Sequence, residues 1–335
     1  MDFVAHDHDY CVSPTTGADE SLKENEALRK RLEMLRSQVE GLQLQTRCYL
    51  ELFAGSDDKI CYYTRFASYH HFLKFWKLVE SAVMTKMIQV TNTKASTAGS
   101  HRSHTFPKLP PFDELLLFLM YLSLGQPLRD LAERFGIHQT TVSRIITTWA
   151  NFLYQLLGGK RLWLPREKVQ ARLPAEFASY PDTQVVLDCT EIYYQTPSDL
   201  LSQSEVFSTY KSHSTLKAMI GMAPHGAVTF VSALFAGSMS DRDIFKQSGI
   251  IKVLQPDMAI MVDKSFHVDN LAPCKVYQTQ STARLRIHVE HCIRRLKGNR
   301  LFDRVLPVSA CGIIDKLFSV ACYLVNYQNG PLMKS

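Results

Sequence analysis

"QVVLDCTEIYYQTPS", residues Gln184–Ser198, joins three apolar residues suited to a buried strand directly to Asp188 and, three positions later, to Glu191. A carboxylate at the end of a buried strand is costly unless a partner compensates for its burial. Because side chains alternate along a strand, we expect Glu191 on the face opposite to Asp188, with Thr190 supporting the aspartate locally. The segment therefore predicts a strand whose end carries a carboxylate in need of a cationic partner.

The segments that follow continue the extended pattern. The stretches TLKAMIGMA and AVTFVSALFAG predict two more strands, joined by a turn at residues 224–226. A helix is expected from about Asp241, which we interpret as the helix N-cap. The stretch DMAIMVDKSF then predicts an apolar strand that again ends in an aspartate, Asp263.

A further helix is predicted in STARLRIHVEHCIRRLKGNR, where Ser281 can act as the cap and Glu290 lies beside the apolar stripe. Three antiparallel strands, a helix, a parallel strand and another helix predict an α/β fold, a ribonuclease-H-like mixed sheet flanked by helices. In that arrangement the first strand lies next to the fourth. We therefore expect Asp188 and Asp263 at the ends of adjacent strands, with Glu290 projecting from the helix packed over them.

These three carboxylates, Asp188, Asp263 and Glu290, are the candidate catalytic residues and metal ligands. Like charges repel at short range, so they require cations, and oxygen ligands without cysteine or histidine favour Mg²⁺ or Mn²⁺. Two such ions can activate a water or a 3′-hydroxyl and stabilise the leaving oxygen of a scissile phosphodiester. The alternative is structural: either aspartate can cap a loop, and Glu290 can pair with Arg286 or Arg294 on the helix surface.

Basic residues are dense around Glu290, which suits contacts with a phosphate backbone; a solvated helical face is the alternative. The cluster consists of Arg284, Arg286, Arg294, Arg295, Lys297, Arg300 and Arg304. Within it, the predicted DNA-binding residues are Arg286, Arg294, Arg295 and Lys297.

A helix-turn-helix is predicted upstream, in residues 106–158. Pro127 can start one helix, Gly136 ends it, and a second helix begins near Gln139. The small side chain of Ala132 lets the two helices cross closely. In such units the second helix enters the major groove, and a plain helical hairpin is the alternative. The predicted readers of the bases are Gln139, Thr140, Thr141, Ser143 and Arg144.

The chain as a whole divides into six predicted segments. They are a disordered tail (1–20), a coiled coil (21–53), a helical segment (60–90), a linker (91–105), the helix-turn-helix domain (106–158) and the mixed-sheet domain (175–328). In the coiled coil, Asn25 and leucines repeat every seven residues. Arg31 and Arg36 would face each other in a parallel homodimer, so we expect a different coiled-coil protein as partner; an amphipathic helix packed on the same chain is the alternative.

Length and composition limit the classes of protein to which this chain can belong. The chain has 335 residues, of which 46% are hydrophobic, enough for two or three domains. Its net charge of +6 is compatible with a polyanionic partner. Eight cysteines without a C-x-x-C pair indicate a reducing compartment rather than a disulfide or zinc framework. The longest apolar run, Leu115–Leu124, is too short to span a bilayer, so no membrane role is expected.

Four stretches together resemble the DDE superfamily endonuclease domain of Harbinger-type transposases and their vertebrate relatives: VVLDCTEIYYQTPS, MVDKSF, ARLRIHVEHCIRRLK and LFSVACYLVNYQNGPL. Residues 109–157 are similar to the helix-turn-helix that precedes that domain in the same family. The resemblance implies that Asp188, Asp263 and Glu290 match the family's catalytic carboxylates. It also implies DNA cleavage and strand transfer in the nucleus, dependent on a divalent metal.

The sequence departs from that family pattern in three places. Ser265 stands where the family has glycine, which predicts a strained or reshaped turn. The connection from Asp263 to Glu290 lacks the longer, proline-containing loop of similar relatives, as expected from an internal deletion. Several relatives carry a zinc-binding THAP module, and no such module is expected here. We thus expect a transposase-derived, metal-dependent endonuclease, with a catalytically impaired DNA-binding or adaptor protein as the alternative.

Overall fold

The computed structural model describes residues 23–36, 38, 55–87, 109–159, 162–278, 290 and 293–328. These residues fall into two units, residues 1–49 and residues 50–335. The predicted tail (1–20) and linker (91–105) lie outside the described residues, as do Ser281, Arg284 and Arg286.

In the first unit, residues 23–36 are helical, as the heptad pattern predicts. Leu28, Leu32 and Leu35 of this helix are about half exposed, at 56%, 55% and 49%. Its pairing in a coiled coil stays a prediction, because the later seam residues Val39 and Leu42 lie outside the described residues.

The second unit begins with helices whose ends follow ordinary capping rules. Ser56 and Ser68 cap the first two, and Gly125 and Gly136 end the third and fourth in the left-handed conformation. The helices are α1 (Asp57–Thr64), α2 (Tyr69–Lys86), α3 (Pro111–Leu124), α4 (Leu128–Phe135), α5 (Gln139–Gly158) and α6 (Arg166–Gln170). The pair α4 and α5 is the predicted helix-turn-helix, with the second helix beginning at the predicted Gln139.

A seven-stranded mixed sheet follows. Its strands are β1 (Thr183–Tyr193), β2 (Phe207–Ser208), β3 (His213–Met222), β4 (Val228–Val231), β5 (Phe235–Ala236), β6 (Ala259–Val262) and β7 (Lys275–Gln278). Further helices among the described residues are α7 (Leu200–Val206), α8 (Asp241–Gln247) and α9 (Cys311–Gln328), and Glu290 and residues 293–297 are helical as well. β1, β3 and β4 are antiparallel neighbours, whereas β6 runs parallel to β1 and β7 parallel to β6. This order confirms the ribonuclease-H-like fold.

Local details differ from expectation at three positions. The predicted strand over residues 227–237 is split into β4 and β5. Ser240 caps α8, and Asp241 is the first helical residue rather than the cap. Ser265 lies in a 3₁₀ turn without a positive φ; His267 adopts the left-handed conformation instead, with a φ of 44°. The turn is therefore reshaped two residues downstream, where its steric cost falls on a histidine.

Two layers of helices enclose the sheet. Val185, Leu187 and Ile260 form a core with Ile244 and Phe245 of α8 on one side. On the other side, α9 packs against both α5 and β4. Lys316 on α9 donates a 2.6 Å hydrogen bond to Asn151 on α5. The predicted helix-turn-helix and mixed-sheet segments thus share one compact unit, and no helix among the described residues is both long and apolar enough to cross a membrane.

Candidate active site

Asp188 and Asp263 lie just beyond the ladder that joins β1 to β6. Asp263 follows the end of β6 as predicted, but the prediction that Asp188 ends its strand is wrong, because antiparallel pairing with β3 continues β1 to Tyr193. Val186 pairs with Met261 between β1 and β6, and each aspartate follows its paired residue by two positions. Both side chains are half-buried. The amide of Cys189 donates a 2.8 Å hydrogen bond to Asp188 Oδ1. Asp263 stands at the N-cap position of a short 3₁₀ turn, and its carboxylate does not make the capping hydrogen bond of that turn.

A cavity of about 720 Å³ opens beside β1. Five carboxylates line it: Asp188, Glu191, Asp241, Asp263 and Glu290. The ladder between β1 and β6 ends at Val186, so side chains from both faces of β1 can reach the space beyond it. For this reason Glu191, expected on the face opposite to Asp188, borders the same cavity.

Glu290 reaches the cavity from a different element. Glu290 and residues 293–297 are helical, the glutamate is exposed, and the buried Leu296 anchors the segment. Downstream, the amide of Arg300 donates a 2.9 Å hydrogen bond to the carbonyl of Ser123 at the end of α3. Among the described residues, no three His, Cys, Asp or Glu side chains are gathered closely enough to hold one metal ion. The predicted carboxylates therefore share a cavity without converging on a single point.

The donor set still suits a particular class of cation. Asp188, Asp263 and Glu290 offer carboxylate oxygens, and hard divalent cations such as Mg²⁺ and Mn²⁺ prefer oxygen ligands. The two aspartates follow the last paired residues of the β1–β6 ladder, which fixes their backbones relative to each other. The residues therefore fit a divalent cation by their chemistry.

Lys217 is an internal cation of the cavity. Its Nζ lies 2.9 Å from Asp241 Oδ1 and 3.7 Å from Glu191 Oε1, and its side chain is only 15% exposed. The hydroxyl of Thr215 donates a 2.8 Å hydrogen bond to Glu191 Oε2. Burial alone would lower the pKa of Lys217, but Asp241 and Glu191 outweigh burial and raise it. The ammonium thus stays charged and neutralises part of the carboxylate cluster.

Two uncharged side chains on β1 complete this wall. Burial, reinforced by the nearby Asp241 carboxylate, raises the pKa of the Cys189 thiol, so it is no thiolate nucleophile at neutral pH. Thr190 is 4% exposed, and its hydroxyl makes no hydrogen bond to any described residue. The local support expected from Thr190 for Asp188 is therefore wrong as a hydrogen bond.

Cations also line the cavity. Arg294 and Lys297, both predicted to bind DNA, line the cavity together with Lys211. Arg295, also predicted, is half-buried and is not part of this lining. The mixture of carboxylates and cations is the electrostatic pattern expected where metal ions and phosphates are held together.

The predicted DNA-reading residues lie in the first half of α5. Gln139, Thr140, Ser143 and Arg144 are exposed, and Thr141 is half-buried. The ring of His138 caps the helix by accepting a hydrogen bond from the amide of Thr140 at 3.3 Å. The second half of α5 buries one face, which includes Trp149, Leu153 and Leu157, against the rest of the unit. The helix therefore presents its N-terminal end, the end that helix-turn-helix units place in the major groove.

Two parts of the chain match known protein families. Residues 187–326 match the family model described as DDE superfamily endonuclease, and residues 107–159 match the helix-turn-helix of DDE superfamily endonuclease. Residues 187–326 are thus similar to DDE superfamily endonucleases. In solved structures, a crystal structure of a pre-cleavage Mos1 transpososome is similar over 77% of this chain and 93% of that chain, at 11% identity and a TM-score of 0.25. No curated protein matched.

Sequence reasoning missed several residues of the cavity. Lys217 had a signal, since it is the one charge inside the apolar stretch TLKAMIGMA. From the sequence, Glu191 and Asp241 are interpreted separately. Their connection through Lys217 depends on the register that sets Glu191 opposite Lys217. Tyr210 and Lys211 carried no signal, because their place beside the carboxylates depends on the β2–β3 hairpin.

Proposed function

We propose that this chain is a Harbinger-type transposase derivative: a divalent-metal-dependent DNA endonuclease that hydrolyses phosphodiester bonds and can transfer strands in the nucleus. The observation that carries the proposal is the placement of Asp188 and Asp263 two positions beyond the last paired residues of the parallel β1–β6 ladder, in one cavity with Glu290. The matches to the endonuclease and helix-turn-helix models support the same assignment.

In this proposal Asp188, Asp263 and Glu290 hold Mg²⁺ or Mn²⁺, two ions when both sites are filled. The metal supplies Lewis acidity at the scissile phosphate and lowers the pKa of a bound water. The chain's own cations then act on the substrate: Arg294 and Lys297 neutralise phosphates that enter the cavity. Lys217 does not compete for them, because Asp241 and Glu191 already hold its ammonium.

The test is nicking of supercoiled DNA by the pure full chain with Mg²⁺ or Mn²⁺, compared with Asp188→Ala and Glu290→Ala. We expect metal-dependent nicking by the wild type and a loss of at least about a hundredfold in either variant, as for removal of a central catalytic group. Asp257→Ala is the matched control, since Asp257 forms only a surface ion pair with Arg166. Equal nicking by wild type and variants would mean that another nuclease is responsible.

A second function is favoured by one specific observation. Within the described ranges no three carboxylates are gathered to hold an ion, and Glu290 is exposed. A DNA-binding or adaptor protein that keeps the fold without cleaving would have this arrangement. The nicking assay separates the two functions, because the adaptor predicts DNA retention that depends on Arg144 with no metal-dependent product.

The helix of residues 23–36 is proposed to pair with another protein. Its seam residues Leu28, Leu32 and Leu35 are about half exposed, and Arg31 disfavours a parallel pair of identical chains. Sedimentation velocity of the full chain is expected to show a monomer. A dimer that Leu28→Lys abolishes would mean that the helix pairs with its own copy.

A further inference from the structure

Tyr210 is a large aromatic side chain left in solvent at the edge of the carboxylate cavity. It is 84% exposed and lines the cavity together with its neighbour Lys211. Neither residue contributes to the metal ligands or to the helix-turn-helix. An exposed ring at the mouth of a polar cavity is a recognition feature when its surroundings fit a ligand.

The hairpin between β2 and β3 fixes the position of this ring. Ser208 pairs with His213 across the hairpin, and the Ser208 hydroxyl accepts a 3.3 Å hydrogen bond from the amide of Lys211. Ser212 adopts a positive φ of 52°, which closes the turn sharply. Four residues, 209–212, thus connect the strands, and the short span limits how far Tyr210 can move.

Charge around the ring identifies the class of ligand. The ammonium of Lys211 lies 5.0 Å from the centre of the Tyr210 ring. Arg294 and Lys297 line the same cavity, so phosphates on both sides of a nucleotide would meet cations. An apolar protein partner would gain nothing from these charges. A nucleobase, in contrast, combines an aromatic face for the ring with a charged backbone for the cations.

We propose that Tyr210 and Lys211 form a stacking platform for an unpaired DNA base next to the scissile phosphate, a step that rests on the proposed function. The ring stacks on the base, and the Lys211 ammonium contacts the adjoining phosphate. Stacking on an aromatic side chain tolerates any base, because every base has an aromatic face. The platform therefore selects unpaired over paired DNA at the cavity, whereas sequence is read at α5.

The test uses oligonucleotide duplexes that carry 2-aminopurine in a single-stranded overhang, with the full chain and without divalent metal. Binding to wild type is expected to quench the 2-aminopurine fluorescence. Tyr210→Ala removes the quenching and weakens overhang binding about tenfold, with affinity for blunt duplex kept within about twofold. Tyr210→Phe keeps the stacking face and retains both signals.

Tyr62→Ala is the matched control. Tyr62 is also an exposed tyrosine, with the Arg300 guanidinium 5.4 Å from its ring centre, but it does not line the cavity. The proposal is overturned by quenching in Tyr210→Ala equal to wild type, by equal losses with overhang and blunt duplex, or by no overhang binding to wild type. Nicking is measured separately, with Mg²⁺ or Mn²⁺ added. Quenching by a chain that does not nick would reject the endonuclease and leave the platform standing, whereas nicking by a chain whose quenching is unchanged in Tyr210→Ala would reject the platform alone.

Discussion

Asp188 and Asp263 follow the paired residues Val186 and Met261 by the same two positions, so β1 and β6 deliver a carboxylate at the same level of the sheet. The register of the parallel pair fixes the relative positions of the two aspartates. A shift of the register by one residue would turn every core side chain of the strand to the wrong face of the sheet. The relationship therefore makes the two aspartates a structural pair, and a pair of carboxylates on fixed backbones is the natural place for a shared cation.

The first prediction follows from that pair. Mg²⁺ or Mn²⁺ is expected to raise the thermal unfolding temperature of wild type with rising concentration, since it binds only the folded state. Asp188→Asn and Asp263→Asn each remove the shift. The double variant loses no more than either single variant, because both carboxylates serve the same ion.

Asp257→Asn is the control for this experiment, since Asp257 lies on the surface in an ion pair with Arg166. It should keep the wild-type response to the cation. A double Asp188 and Asp263 variant that is still stabilised as strongly as wild type would place the cation elsewhere. Additive losses in the single variants would indicate two independent sites.

The second prediction concerns Lys217. Lys217→Met leaves Glu191 and Asp241 facing each other without their ammonium, and removing one partner of a largely buried pair lowers the free energy of unfolding by about 3 kcal/mol. A triple variant that combines Lys217→Met with Glu191→Gln and Asp241→Asn is expected to recover most of that loss, because it also removes the two carboxylates that Lys217→Met leaves without a cation. Urea unfolding measures both values.

An exposed ion pair serves as the comparison. Lys246 pairs with Asp243 on α8, and both side chains are nearly half exposed, at 45% and 48%. Lys246→Met should change the free energy of unfolding by less than about 0.5 kcal/mol. If Lys217→Met costs no more than this, Lys217 contributes no internal charge compensation and the raised pKa has another origin.

The sequence predicts the centre of this fold better than its edges, for a physical reason. The first half of β1 and the whole of β6 are short apolar runs that lead directly into a carboxylate, and both features are local. β7, Lys275–Gln278, is a polar four-residue edge strand, and its pairing with β6 depends on tertiary contacts that no local pattern encodes. The split of residues 227–237 into two strands has the same cause.

The residues of the candidate site likewise divide into those that a local sequence pattern predicts and those that only tertiary contacts bring together. Asp188 and Asp263 are predictable because each interrupts an apolar strand. The link from Lys217 to Asp241 spans a hairpin and a helix start, so it requires the register of β1 against β3 and the packing of α8. Glu290 is predicted on a helix, but how closely it approaches the aspartates depends on a connection that no periodic pattern describes.

The third prediction is a pH dependence. Burial raises the pKa of the Asp113 carboxyl, in the first turn of α3, from 3.8 to about 6. The folded chain holds this proton more tightly than the unfolded chain. The protonated carboxyl therefore contributes its full stability below about pH 3.8, and this contribution is lost as pH rises through about 6. Asp113→Asn mimics the protonated acid at every pH.

Urea unfolding of both proteins tests this sign. Asp113→Asn should match wild type near pH 4 and exceed its free energy of unfolding by about 2 kcal/mol at pH 7. Asp130→Asn, at an exposed position on α4, is the control and should follow wild type throughout. A constant difference between Asp113→Asn and wild type at all pH values would show that the carboxyl does not titrate in this window.

The fourth prediction separates the two helices of the helix-turn-helix. Arg144 lies exposed in the first half of α5, and Arg134 lies exposed at the end of α4. In such units the second helix reads base edges while the first crosses the backbone. Selection of bound sequences from a random duplex pool should therefore yield a motif that Arg144→Ala loses at one position, at a cost of about 1–3 kcal/mol for that base pair.

Arg134→Ala should instead keep the motif and reduce the slope of log affinity against log salt by about 0.9, the value of one lost phosphate contact. Two variants that weaken all sequences alike would assign α5 to the backbone rather than to the bases, because a residue that touches only phosphate carries no sequence information.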